Sequence, residues 1–176
     1  MKNVIILHGT GASPDMYWYP YIRNELEKKG YKVSVPSLPN KDKSDINDWL
    51  PFALDNCEID EDTILIGHSA GGPLILSILE NMKVKIKQAI LVAGFLGLDS
   101  SIIQSSYNWD KIKSNVKDII FINSDNDPWG CDDKEGRKLF EKLGGKQIIL
   151  NGEAHMGSTS FNQPYKKFPF LLKLIE

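Results

Sequence analysis

Short runs of apolar and β-branched residues alternate along this chain with longer stretches in which apolar residues recur at helical spacing. Some of the short runs, such as Ile64-Leu65-Ile66, are apolar at successive positions, which is typical of strands covered on both faces of a parallel sheet. The pattern predicts strands at Val4–His8, Lys32–Pro36, Thr63–Gly67, Gln88–Gly94, Asp118–Asn123 and Lys146–Leu150.

The stretches between these strands predict helices. Pro20 suits a first helical turn, because its missing N–H has no intrahelical partner there. The apolar residues of Ala70–Met82 repeat at helical spacing, and Asp132–Leu143 ends at a glycine pair. We expect a short helical turn over Tyr107–Lys113 and a final helix over Tyr165–Ile175.

The alternation of strands with helices predicts the fold class. We expect an α/β protein, a three-layer sandwich of about six parallel strands, with residues 1–176 forming one domain. In such sheets the chemistry lies at the carboxyl ends of the strands. The loops after His8, Gly67, Asn123 and Leu150 are therefore expected to meet at one edge.

Composition narrows the range of partners. The formal net charge is −2, from 21 basic and 23 acidic residues, which gives no reason to expect a nucleic-acid or anionic-membrane partner. The apolar runs are too short to span a bilayer and no signal-peptide pattern is present, so we expect a cytoplasmic protein. Cys57 and Cys131 lack the spacing of a zinc site or a disulfide framework; we expect two free thiols, no metal and no cofactor.

The strongest local signal is Gly67-His68-Ser69-Ala70-Gly71, which lies between a predicted strand and a predicted helix. This is the G-x-S-x-G nucleophile elbow in the context it requires. Glycines two positions to either side of the serine let neighbouring backbone approach closely. The alternative is that Ser69 only caps a helix; the strand–turn–helix placement favours a nucleophile.

A serine hydroxyl needs a base to remove its proton, and the chain has three histidines. His8 ends the first predicted strand, and His68 is expected to point away from the serine beside it. His155 follows the last predicted strand, and its position gives the chain order Ser, acid, His that α/β hydrolases use. We therefore predict His155 as the base, against the alternative of a surface loop histidine.

The orienting acid is expected on the loop after the fifth predicted strand, which offers two carboxylates. Asp127 is preferred because a carboxylate must lie deep in this loop to reach the outer imidazole nitrogen. Asp125, nearer the strand end, is then a turn residue that binds backbone N–H groups. For the oxyanion hole we predict two backbone donors, the N–H groups of Ala70 and Thr10.

A further set of sequence features, several of which are not generic to α/β hydrolases, points to one family: His8-Gly9, Tyr17-Trp18-Tyr19-Pro20, Pro36-Ser37-Leu38-Pro39-Asn40, Trp49-Leu50-Pro51-Phe52, Ile66-Gly67-His68-Ser69, Trp109–Lys113, Ser124–Pro128 and the late His155. With these features the chain resembles, over essentially its full length, the small bacterial and animal serine hydrolases of the retinoblastoma-binding protein nine and YdeN type. The resemblance implies a minimal α/β-hydrolase fold without a large cap, and Asp127 rather than Asp125 as the acid.

The chain departs from that family in two places. The acid loop continues Trp129-Gly130-Cys131 without the usual Val-Pro or Leu-Pro, and Glu153-Ala154 and Met156 flank His155 where Gly-His-Phe is more usual. Both changes fall on the expected pocket wall. Tyr17, Trp18 and Trp129 are the predicted substrate contacts, with a core role as the alternative for such aromatics.

These residues predict a serine hydrolase that cleaves small carboxylic esters through an acyl-serine intermediate. Esters are favoured over amides, because amide cleavage requires protonation of the leaving group and tighter positioning of the substrate. The alternatives are an acyltransferase or peptidase that uses the same residues, and a non-catalytic protein that binds a ligand or a protein partner in the same pocket.

Overall fold

The computed structural model describes residues 2–175. Six strands are present: β1 (Asn3–Leu7), β2 (Lys32–Ser34), β3 (Thr63–His68), β4 (Ile86–Val92), β5 (Val116–Ser124) and β6 (Lys146–Leu150). They form one sheet in the order β2-β1-β3-β4-β5-β6, and every neighbouring pair is parallel. In this order β3 and β4 hold the two middle positions, and β2 and β6 form the edges of the sheet.

The helices are α1 (Tyr19–Glu27), α2 (Ile46–Asn56), α3 (Gly71–Asn81), α4 (Trp109–Ser114), α5 (Asp133–Leu143) and α6 (Pro169–Leu172). They form two groups: α1 contacts α6, whereas α2, α3, α4 and α5 contact one another in series. A parallel six-stranded sheet with two groups of helices confirms the predicted α/β fold class. None of the helices within residues 2–175 has the length and hydrophobicity needed to span a bilayer.

Three elements differ from the sequence prediction. Helix α2 was not predicted, and the final helix predicted over Tyr165–Ile175 is wrong in extent, because only the four residues of α6 are helical. Tyr165 has a positive φ of 37°, which is incompatible with a helix there, and Pro169 begins α6. His8 lies just after β1 rather than at its last position.

The core lies on both sides of the central strands. Every residue of β1 and β3 is buried, and so is every residue of α3 from Gly71 to Leu79. A helix that is buried all round is held in place by tight packing on every side. The loop that precedes α3 is therefore fixed with respect to the sheet, and this is the loop that carries Ser69.

Candidate active site

Ser69 lies on a sharp turn between the last residue of β3 and the first residue of α3. Its φ of 54° is in the left-handed region, which costs a non-glycine residue about 1–2 kcal/mol. The close approach around it requires glycine: a Cβ on Gly67 would lie 2.4 Å from the Gly71 carbonyl oxygen, and one on Gly71 would lie 2.2 Å from that of Leu7. The Ser69 N–H donates to the Val92 carbonyl at 2.8 Å, which fixes the turn against β4.

His155 and Asp127 form a buried pair at the same edge of the sheet. His155 Nδ1 lies 2.7 Å from Asp127 Oδ2, and the N–H of Trp129 donates to Asp127 Oδ1 at 2.8 Å. Both side chains are almost fully buried. With each carboxylate oxygen engaged, the imidazole is held with Nδ1 toward the acid and Nε2 toward the cleft.

The other two histidines have both ring nitrogens engaged. His8 Nδ1 donates to the Gly9 carbonyl at 2.9 Å, and its Nε2 accepts from the Leu38 N–H at 3.1 Å. His68 Nε2 donates to the His155 carbonyl at 2.9 Å, and its Nδ1 accepts from the Tyr19 hydroxyl at 2.7 Å. Among the histidines of residues 2–175, only His155 keeps a ring nitrogen without a partner.

Burial keeps both of these histidines neutral. Complete burial, with a smaller contribution from the charge of His155, lowers the pKa of His68 to about 3. Burial also lowers the pKa of His8. A neutral His68 has one donor and one acceptor, and its two hydrogen bonds use both. His68 thereby connects Tyr19 to the backbone of His155.

Ser69 and His155 line the same cleft, but within residues 2–175 no hydrogen bond joins the Ser69 hydroxyl to His155 Nε2. Bonds of this kind are often long in unliganded enzymes and shorten when substrate binds. The structure therefore brings Ser69, Asp127 and His155 to one place, with the contact between Asp127 and His155 formed and the contact between His155 and Ser69 open.

The predicted oxyanion donors lie next to Ser69. Within the described part of the chain, the N–H groups of Thr10 and Ala70 make no hydrogen bond. The backbone of the first loop is close to the serine, since a Cβ on Gly9 would lie 2.9 Å from Ser69 Cβ. The Thr10 hydroxyl donates to Ser44 at 2.8 Å, which anchors this loop and leaves its N–H groups available.

Asp125 has a different environment from Asp127. It is exposed, and it accepts hydrogen bonds from the Gly152 N–H at 2.8 Å and from the Asn151 side chain. These bonds lower the pKa of Asp125. They tie the loop after β5 to the loop that carries His155, so Asp125 has a structural position and does not reach the imidazole.

The predicted aromatic contacts separate into two groups. Tyr17 and Trp129 line the cleft, whereas Trp18 is fully buried in the core and donates its indole N–H to the Met156 carbonyl at 2.9 Å. A substrate contact for Trp18 is therefore not supported. Tyr17 accepts from the Thr159 N–H at 3.2 Å, and the Trp129 indole N–H donates to Ser158 at 3.2 Å, so both rings are held by hydrogen bonds to one segment.

The cleft has a volume of about 640 Å³ and is open to solvent at the half-exposed ring of Trp129. Two exposed carboxylates, Asp42 and Asp99, lie on its wall, and no lysine or arginine of residues 2–175 lines it. The lining residues come from several loops: Gly9–Ala12, Tyr17, Asp42, His68, Ser69, Phe95, Leu98–Ser100, Trp129, Cys131, His155 and Gly157–Ser160.

The loop after β4 is held in place by hydrogen bonds to a buried carboxylate. The buried Glu135 carboxylate accepts from the N–H groups of Leu96 at 2.8 Å and Gly97 at 2.6 Å, and it also pairs with Lys138. These contacts lower the pKa of Glu135 despite its burial. Sequence reasoning assigned no role to Glu135, because its partners lie almost forty positions away along the chain.

Cys131 is a further residue of the site that sequence reasoning left without a role. It is buried, it lines the cleft, and burial together with the nearby Asp127 carboxylate raises the pKa of its thiol. Asp127, Cys131 and His155 each place a potential metal ligand atom within 4.8 Å of the others. The only signal in the sequence was the position of Cys131 four residues after the predicted acid.

Comparison with known proteins identifies the family of the chain. The sequence model of one protein family, described as serine hydrolase, matches residues 4–174. Over 135 residues the chain is 31% identical to YdeN of Bacillus subtilis strain 168, which is named as a hydrolase, covering 72% of this chain and 71% of YdeN. It is 29% identical over 174 residues to serine hydrolase RBBP9 of Rattus norvegicus, covering 92% and 90% of the two chains.

Solved structures extend the similarity to the fold. The crystal structure of the Bacillus subtilis YdeN product matches with a TM-score of 0.90 at 24% identity, covering 99% of this chain and 96% of that one. Est1E of Butyrivibrio proteoclasticus, in a structure with bound ferulic acid, matches with a TM-score of 0.71 at 15% identity, covering 98% and 89%. At these identities the likeness concerns the fold alone.

Proposed function

The chain belongs to the serine hydrolase family, and from that premise we propose that it cleaves small carboxylic esters through an acyl-serine intermediate. In this proposal Ser69 is the nucleophile, His155 the base and Asp127 the orienting acid. The observation that carries it is the buried contact of 2.7 Å between Asp127 and His155 Nδ1, which leaves Nε2 free in the cleft that Ser69 lines.

The chemistry follows from this arrangement. His155 Nε2 takes the Ser69 proton as Oγ attacks the ester carbonyl, and Asp127 stabilises the imidazolium that forms. The N–H groups of Thr10 and Ala70 are placed to bind the oxyanion, and no other group of the described chain competes for them. His155 then protonates the leaving alcohol, and a water activated by the same imidazole releases the acid and restores Ser69.

The shape of the cleft supports a small substrate. Residues 93–108, between β4 and α4, contain no helix or strand. Two bonds hold this segment to its neighbours: the Ser101 hydroxyl donates to the Ser44 carbonyl at 2.7 Å, and the Gln104 amide donates to Ser77 at 2.8 Å. The cleft is therefore open along one side, which suits a short acyl group better than a long chain.

The nucleophile is tested by labelling with an activated phosphonate. Ser69 should be the serine that is labelled, and Ser69→Ala should lose roughly 10³- to 10⁶-fold in turnover of a short p-nitrophenyl ester. Full activity in the alanine variant would rule out the proposed mechanism.

The acid is tested with two matched variants of neighbouring aspartates. Asp127→Asn should fold normally and lose on the order of 10⁴-fold in kcat, because the amide favours the wrong imidazole tautomer. Asp125→Asn should lose far less, since Asp125 binds only Asn151 and Gly152. The opposite ranking of the two variants would assign the acid to Asp125.

A further inference from the structure

We propose that Cys131, His155 and Asp127 form an inhibitory binding site for Zn²⁺ inside the cleft. The binding itself rests only on the geometry of these three side chains; its effect on catalysis rests on the proposed function of His155. Zinc prefers thiolate, imidazole and carboxylate ligands, and the three residues supply one of each.

The three ligands converge from different loops. Asp127 and Cys131 flank the turn after β5, and His155 lies on the loop after β6. Their ligand atoms lie within 4.8 Å of one another, and all three side chains are buried. Around a tetrahedral zinc such atoms are about 3.6 Å apart, given metal–ligand distances of about 2.0–2.3 Å, so shifts of roughly 1 Å complete the site.

At Cys131 the backbone is fixed, whereas the side chain can change its orientation. The carbonyl of Cys131 accepts a hydrogen bond from the buried Asn123 amide at 2.8 Å, which fixes the backbone at this position. The thiol lines the cleft beside the Ser69 hydroxyl, to which it is hydrogen-bonded, and it can turn toward a metal ion by rotation about one side-chain torsion. A site with three protein ligands leaves a fourth position open, which a water fills.

Charge favours a cation at this place. Cys131 lies in the field of Asp127, Asp132 and Glu135. The exposed Asp42 and Asp99 lie on the wall of the cleft that leads to it, without a lining lysine or arginine among the described residues. The carboxylates on the cleft wall attract a divalent cation and raise its local concentration inside the cleft.

Binding by either imidazole nitrogen stops catalysis. Zinc on Nε2 occupies the lone pair that takes the Ser69 proton. Zinc on Nδ1 replaces the bond to Asp127 and leaves the neutral ring with its proton on Nε2, which is then a donor and cannot accept. As the bond from Sγ to zinc forms, the S–H bond breaks and the thiol proton passes to solvent, so the step needs no oxidant or reductant.

The test uses two readouts on the whole protein, one spectroscopic and one kinetic. Co²⁺ is the spectroscopic probe, because cobalt bound by a thiolate absorbs in the near ultraviolet and occupies the same kinds of site as zinc. The wild type should show this band at one equivalent. Zn²⁺ should inhibit hydrolysis of a short p-nitrophenyl ester, and EDTA should restore the activity.

The two cysteines provide matched variants. Cys57 is half-buried at the end of α2 and contributes no atom to the cluster. Cys57→Ser, which keeps Cys131 as the one thiol, should retain the cobalt band and the inhibition. Cys131→Ser should lose the band and need at least about tenfold more Zn²⁺ for half-inhibition, measured relative to its own metal-free activity.

The results test the metal site independently of the proposed hydrolase activity. Ser69→Ala should bind Co²⁺ with the same band although it is inactive. A wild type that shows the band but has no esterase activity would support the metal site and contradict only the proposed hydrolysis. A wild type without the band, a band lost in Cys57→Ser, or equal inhibition in Cys131→Ser and wild type would overturn the site. Cys57→Ser keeps the test decisive even if Cys131→Ser fails to fold.

Discussion

His68 makes the stability of this protein depend on pH well above the range in which carboxylates titrate. The ring is fully buried, and burial keeps it neutral; in this form it accepts from the Tyr19 hydroxyl and donates to the His155 carbonyl. Protonation would place a second donor against the Tyr19 hydroxyl and a charge in the core. We expect the free energy of unfolding to fall when the pH is lowered from 7 to 5.

The magnitude follows from the two pKa values of the ring. In the folded state the pKa is about 3, against an ordinary value of 6.5. The unfolded chain therefore binds more protons between these values, so stability is complete above about pH 6.5 and declines as the pH falls through the window. Integrated from pH 7 to pH 5, one histidine of this kind lowers the free energy of unfolding by about 2 kcal/mol.

Urea unfolding at pH 7 and pH 5, followed by tryptophan fluorescence, measures this loss in the wild type and in His68→Gln. Glutamine keeps one donor and one acceptor at similar reach but does not titrate. The contribution of His8 occurs in both proteins, so the variant should lose about 2 kcal/mol less than the wild type between the two pH values. An equal loss in both proteins would refute the assignment of His68 as a neutral buried ring.

Two further predictions concern the cleft. On p-nitrophenyl esters, kcat/KM should peak at about C2 to C6 and then fall, since an open cleft does not reward added methylenes with about 0.8 kcal/mol each; a steady rise to C12 would indicate a buried channel. Glu135→Gln should raise KM several-fold and leave kcat nearly unchanged, because it weakens charge-assisted bonds to the loop that carries Phe95 and Leu98. Steady-state kinetics separates the two parameters, and a fall in kcat alone would contradict this role.

The fold could be predicted from the sequence because its signals are local. The fully buried strands β1 and β3 contain the apolar runs at residues 4–7 and 64–66, and the glycines at 67 and 71 mark the turn at Ser69. Helix α2 was missed for a physical reason: only Trp49 and Ala53 of its residues are buried, and Pro51 lies inside it. A segment with few buried apolar residues and an internal proline lacks the pattern from which a helix is predicted.

The parts of the site that were not predicted depend on contacts that are distant in sequence. Whether Trp18 lies in the core or in the cleft is decided by its bond to Met156, which is 138 positions away. The thiol of Cys131 meets His155 only because β5 and β6 are neighbours in the sheet. Neither the burial of Trp18 nor the proximity of Cys131 to His155 can be derived from the spacing of residues along the chain. The chain order of Ser69, Asp127 and His155, by contrast, is visible in the sequence alone.

Backbone strain in this protein is concentrated where the loops meet. Of the non-glycine residues with positive φ, five lie on the loops around the cleft: Tyr17, Ser69, Ala93, Ala154 and Met156. Each costs of order 1–3 kcal/mol and persists only where the surrounding structure over-determines it. Here the constraint comes from neighbouring strands and loops. The N–H groups of Ser69 and Ala93 donate to carbonyls of the adjacent strands β4 and β5. His68 donates to the carbonyl of His155, which lies between Ala154 and Met156. His68 thus holds the strained backbone on either side of His155, whereas Asp127 orients the imidazole ring itself.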